Sequence, residues 1–120
     1  MMARFKFGSR RATTTIDVVH TYPSGATHKV CVSYSRELLP GDDPRDPTGE
    51  IREVWINGID GYEKRMNDDR RDTCIGYSKD LQNGDNVKWL AKSVQRDSRG
   101  KPSGLMGSVL DALKKEPIGV

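Results

Sequence analysis

Two histidines and two cysteines are the residues of this chain best suited to metal or nucleophile chemistry. His20 and His28 flank a Pro-Ser-Gly turn, Cys31 follows closely, and Cys74 stands far downstream. Imidazole near thiol suggests a metal site or an activated nucleophile, so spacing has to decide. No carboxylate or thiol accompanies the histidines at metal-ligand spacing, and neither cysteine sits in a CxxC pair. No Ser/His/Asp arrangement, phosphate loop, GxGxxG or paired-carboxylate pattern is present. The expectation is two half-buried histidines with hydrogen-bonded tips and two reduced cysteines that pack. No metal, no cofactor and no self-sufficient catalytic centre are expected in this chain.

Two other groups are suited to binding. Asn57, Gly58, Asp60 and Gly61 form a glycine-rich break where an extended segment feeds a helix, with Arg52 and Trp55 just before it. Backbone amides at such a break, beside a helix N-terminus, can hold an anion. A tight turn accounts for the same glycines. The second group is basic. Arg4, Lys6, Arg10 and Arg11 alternate with Phe5 and Phe7 ahead of the first acidic residue, Asp17, and Arg99 and Lys101 lie in a distant loop. Such residues can touch phosphate and stack on bases. A frayed terminus or an edge strand explains the arm equally well.

The elements that position these residues follow from periodicity. TTTIDVVHTY, PSGA and THKVCVSYS predict a β-hairpin rich in threonine and valine. Pairing Tyr22 with His28 places His20 opposite Val30, Val18 opposite Val32 and Ile16 opposite Tyr34. Ile16, Val18, Val30, Val32 and Tyr34 then share one face, with both histidines on it near the tip. Ser24, Gly25 and Ala26 form the loop, with Gly25 at positive φ. Three prolines and two glycines make 37–50 an exposed loop, read as a tolerated insertion. In EIREVWIN both faces carry apolar bulk, which predicts a central strand covered on both sides and broken by Asn57-Gly58. Tyr62, Met66, Thr73, Cys74, Tyr77 and Leu81 mark one stripe of a helix over 62–82, whose remaining charges read as a balanced solvated face. Gly84 stops that helix and Asp85 is placed to cap the next, over 86–96. A third helix spans 104–115 and ends before Pro117.

Three strands followed by three helices predict an α+β fold, a three-stranded antiparallel β-meander with the helices packed on the sheet. One domain over 13–116 is expected, with a basic N-terminal arm over 1–12 and a short tail over 117–120. In 120 residues, only 34% are hydrophobic and 31% are charged, so the core must come from a few well-patterned segments. The net charge of +3 permits contact with nucleic acid without demanding it. No apolar run approaches a membrane span, MMARFKFGSRR has no apolar h-region, and cysteine usage points to a reducing compartment. The expected location is cytoplasmic, away from membranes.

GEIREVWIN, GIDG, SKDLQNG, DNVKWLAKSV and GKPSGLMGSVLDAL, in that order, resemble the C-terminal module of adenosylcobalamin-dependent ribonucleotide reductases, found also as stand-alone TSCPD-domain proteins. The matching positions are Glu53-Val54-Trp55, Gly58 and Gly61, Leu81-Gln82-Asn83-Gly84, Val87 to Val94 and Gly100 to Leu113. The resemblance covers about residues 13–115 and is most specific over 49–113. The name-giving cysteine motif is missing, since Thr73-Cys74-Ile75 is not followed by proline and aspartate, and loop 39–49 is longer than the usual connection. The reductase's radical-bearing cysteine, reducing cysteine pair and cobalamin barrel lie outside the module. The resemblance therefore implies an accessory unit, non-catalytic by itself, that binds a protein partner such as a reductase catalytic chain, or a nucleotide. A small nucleic-acid-binding protein using the basic arm is the alternative. Exposed sheet edges leave a homodimer open.

Overall fold

The computed structural model of the chain describes residues 12–60 and 64–117. Three strands, β1 (Thr14–Thr21), β2 (Thr27–Arg36) and β3 (Ile51–Ile59), precede three helices, α1 (Lys64–Gln82), α2 (Val87–Lys92) and α3 (Leu105–Lys114). The sheet is antiparallel in the order β1-β2-β3. This is the α+β meander that the sequence predicts. The N-terminal arm and Tyr62 lie outside the described residues.

The hairpin register differs from expectation by two residues. His20 faces His28, Val18 faces Val30, Ile16 faces Val32 and Thr14 faces Tyr34. The Tyr22 N–H donates to the Ala26 carbonyl and the Gly25 N–H to the Tyr22 carbonyl, closing a tighter turn with Gly25 at φ 89°. A slip of two keeps every side chain on its predicted face, so Val18, Val30, Val32 and Tyr34 are all buried.

β3 departs further. It is an edge strand, not a central one, and it runs through Asn57-Gly58 instead of ending there. Two register shifts against β2 leave Arg52 and Asn57 as extra residues, because Arg36 pairs Ile51 while Ser35 pairs Glu53, and Cys31 pairs Gly58 while Val32 pairs Ile56. Each extra residue is a β-bulge that reverses the side-chain alternation. Ile51, Val54, Ile56 and Ile59 therefore all face the helices and are buried, although their numbers mix odd and even. The apolar bulk that suggested two covered faces belongs to one face, and Trp55 on the other is 41% exposed.

On the covered face, Leu105, Met106, Val109, Leu110 and Leu113 of α3 join Val18, Val30 and Val32 in one apolar cluster. Burying each such side chain favours folding by about 1.5–3 kcal/mol. Val87, Leu90 and Ala91 complete the cluster from α2. That helix is shorter than predicted, and its cap is Asn86, not Asp85: the Asn86 side chain accepts from the Trp89 N–H at 2.8 Å. α1 ends as predicted at Gly84 (φ 113°), where the Asp85 N–H reaches the Asp80 carbonyl and the Gly84 N–H the Leu81 carbonyl, a Schellman closure.

Loop 37–50 is more ordered than an insertion needs to be. The Asp42 carboxylate accepts from the Leu39 and Thr48 amides and from the Thr48 hydroxyl, and the Thr48 and Leu39 bonds hold its pKa low. Glu37 and Glu50 close the base through a backbone bond. Among the described residues no helix is long and apolar enough to cross a membrane.

Candidate functional site

The sheet face away from the helices is open. Its residues alternate out of the strands: Thr15, Asp17 and Val19 from β1, Lys29, Cys31 and Ser33 from β2, and Trp55 and Asn57 from β3. Threonine and serine dominate because this face meets water. Val19, at 60% exposure, and Trp55 are its apolar exceptions. The Asn57 side-chain amide donates to Ser33 Oγ at 2.7 Å and approaches Cys31 Sγ at 3.5 Å, while Ser33 Oγ lies 3.0 Å from Thr15 Oγ1. The bulge thus lays Asn57 across the sheet face and ties three strands together.

Beside the bulge lies a groove of about 580 Å³, lined by Asp17, Lys29, Cys31, Asn57, Gly58, Ile59, Asp60, Asn67 and Arg71. Its wall toward α1 depends on how the β3 edge is satisfied. A bulge turns two successive carbonyls toward the same side, and the Arg71 guanidinium donates to both, Ile56 O at 3.3 Å and Asn57 O at 2.9 Å. Asn67 Oδ1 accepts the Ile59 N–H at 2.9 Å. Ser78 Oγ accepts the Val54 N–H and donates to the Val54 carbonyl, both at 3.1 Å. Asn67, Arg71, Cys74, Ser78 and Leu81 recur at i, i+4, i+7, i+11 and i+14, one helical stripe laid along the outer edge of β3. That spacing is visible in the sequence. It was obscured there because an apolar stripe is the usual sign of packing, and this one is mostly polar.

The six residues proposed for ligand binding are divided by the structure. Trp55, Asn57, Gly58 and Asp60 lie on the open face or the groove, and Gly61 lies outside the described residues. Arg52 is elsewhere in role: Nη1 donates to the Leu81 carbonyl at 2.8 Å and to that of Asp85 at 3.1 Å, with Nε 3.7 Å from Glu37. It holds the C-terminal carbonyls of α1. Of the amides expected to be available for an anion, that of Asp60 donates to the Lys29 carbonyl, and the neighbouring Ile59 N–H goes to Asn67. Gly58 has a negative φ, and a Cβ placed there would meet open space. Backbone geometry does not require this glycine; its bareness keeps the groove wide.

The electrostatics of the groove are balanced. Lys29 Nζ lies 3.4 Å from Asp17, and Arg71, besides its two carbonyls, lies 3.3 Å from Asp68. Both cations already have partners.

The histidines sit at the hairpin tip, on the covered side. His20 is 2% exposed, deeper than predicted, with Nδ1 2.6 Å from Ser108 Oγ and the Tyr22 ring edge-on at 4.4 Å. Burial, then the neighbouring His28, lower its pKa, and the Ser103 backbone partly opposes this. His28 Nδ1 is bonded to the Asp60 carbonyl at 2.8 Å. The Ser108–His20 contact has the composition of a nucleophile–base pair, with His20 buried and Ser108 half-buried. Burial pushes the Cys74 thiol up to about 12, so it stays protonated at neutral pH. Among the described residues no group of three or more His, Cys, Asp or Glu side chains is placed to hold a metal ion.

Of the proposed nucleic-acid residues, Arg99 and Lys101 are exposed on a turn whose backbone amides both donate to Asp97. Arg4, Lys6, Arg10 and Arg11 lie outside the described residues. No family model, curated protein or solved structure matches this chain.

Proposed function

We propose that this chain is a non-catalytic binding module, an accessory unit of the ribonucleotide-reductase type, whose open sheet face receives a protein partner. The observation that carries this reading is the pairing of both groove cations. With Lys29 held by Asp17 and Arg71 held by two carbonyls and Asp68, a nucleotide phosphate would have to displace existing partners. A protein segment needs no such charge. It can use the apolar surface of Trp55 and Val19, and it can exchange hydrogen bonds with Asn57, Asp60 and the hydroxyls of the face. An exposed tryptophan beside a groove is also the residue type that dominates binding energy at protein interfaces.

The resemblance to the reductase module names the partner to try first, a cobalamin-dependent reductase catalytic chain. Calorimetric titration of that chain should give a complex that Trp55→Ala weakens roughly tenfold or more. Gly58→Val, which fills the groove without straining the strand, should weaken it similarly while leaving the fold intact. Nucleoside di- and triphosphates at millimolar concentration should leave the melting temperature unchanged. Stabilisation by nucleotide, with no complex formed, would replace this reading with nucleotide binding.

A further inference from the structure

We propose that the α2–α3 corner is a binding surface for single-stranded nucleic acid, with Trp89 as the stacking platform and lysines as the phosphate contacts. This surface is made of other residues than the open sheet face, the basic arm and the Arg99–Lys101 turn. α2 buries Val87, Leu90 and Ala91, which forces Lys88, Trp89 and Lys92 outward. Trp89 is 64% exposed, the most exposed large hydrophobic side chain among the described residues. Its backbone N–H is held by Asn86 and its ring lies under Lys92 Nζ at 5.1 Å, so the indole is positioned although unburied.

From the same helix, Lys88 lines a cleft of about 260 Å³ together with Lys114 of α3, Arg36, Glu50 and Glu116. Three cations, Arg36, Lys88 and Lys114, face two acids there. Glu116 accepts from the Tyr34 hydroxyl, and Lys114 is only loosely associated with Asp111 at 3.9 Å. Among the described residues no carboxylate lies within 4 Å of Lys88, Lys92 or Lys115.

Two lysines with no carboxylate partner among the described residues, Lys88 and Lys92, share a short helix with an exposed aromatic ring, a combination that fits a polyanion with flat faces. The lysines alone would serve a peptide of glutamate or aspartate side chains, which offers no flat face to the indole. A single strand uses both: phosphates meet Lys88, Lys92 and Lys114, and an unpaired base stacks on Trp89. A duplex hides its base faces and would contact only the lysines.

The sequence contains two tryptophans, so Trp55→Phe leaves Trp89 as the only indole reporter. Titrating that variant with a thymidine oligonucleotide at low salt should quench its fluorescence. Affinity should fall with salt at a slope of about −2 in log–log form, as for roughly three neutralised phosphates. Trp89→Ala should weaken binding of the same oligonucleotide, followed by anisotropy, about tenfold or more. Lys88→Glu combined with Lys92→Glu should flatten the salt slope. Both substitutions are on the surface, and an unchanged thermal transition confirms the fold.

Binding that survives Trp89→Ala together with the Lys88→Glu/Lys92→Glu pair would overturn the proposal and return the interaction to the basic arm. Equal affinity for polyglutamate would overturn it by showing that the ring contributes nothing. A Trp89 blue shift on anionic phospholipid vesicles, with no response to oligonucleotide, would overturn it in favour of a membrane surface.

Discussion

The two edges of the sheet are handled in opposite ways. The outer edge of β3 is bulged twice and closed by side chains of α1: Asn67, Arg71 and Ser78 each bond its backbone, while Arg52 ties its first bulge to the end of the helix. The outer edge of β1 is straight, and among the described residues no side chain closes it. Because Tyr22 pairs with β2 by hydrogen bonds, alternation turns the groups of Thr15, Asp17, Val19 and Thr21 outward. Among the described residues that edge is guarded only by the charge of Asp17 and by threonines, a weaker device than a covering helix. The contrast explains why α1 can be so polar. Besides the buried Cys74 and Leu81, its attachment is side chain to backbone, and the bulges it closes also shape the groove.

The largest effect is expected on the closed edge. Ser78→Ala should cost about 1–3 kcal/mol in urea unfolding, because it leaves the buried Val54 N–H and carbonyl without a partner. Asn67→Ala should cost about 1 kcal/mol, and amide exchange should quicken at Ile59 before it does at Val54.

A smaller effect is expected at the hairpin tip. The folded-state pKa of His20 lies below the unfolded value of about 6.5. Its contribution is therefore complete above that value and is lost as pH falls toward the folded pKa, since the unfolded chain takes the proton first. Unfolding free energies between pH 7.5 and 5.5 should decline, and His20→Gln should flatten the decline.

The smallest change is expected on the bare edge. Asp17→Val should alter stability by no more than about 0.5 kcal/mol, yet sedimentation should show concentration-dependent association once the guarding charge is gone. If Asp17→Val destabilised the fold more than Ser78→Ala does, the two edges would not differ as described.

Much of this could be read from residue patterns. Alternation in the hairpin put Val18, Val30, Val32 and Tyr34 on one face, and Gly25 and Gly84 marked the turn and the helix stop that the structure contains. The register could not be read, because a shift of two residues preserves every face. The edge position of β3 was misread for a related reason. Its bulges at Arg52 and Asn57 each add one residue, so Ile51, Val54, Ile56 and Ile59 lose their alternation in the sequence while sharing a face in space. Arg71 looked like one charge in a solvated run, since nothing local says that two carbonyls await it.

The sequence by itself determined the kind of fold, the order of its elements and most of its core, because periodicity and chain breakers act over a few residues. Only the tertiary structure decided which strand is an edge, how that edge is closed and whether the groove's cations are free. Those outcomes depend on partners brought together from distant parts of the chain, and single-chain patterning does not record them.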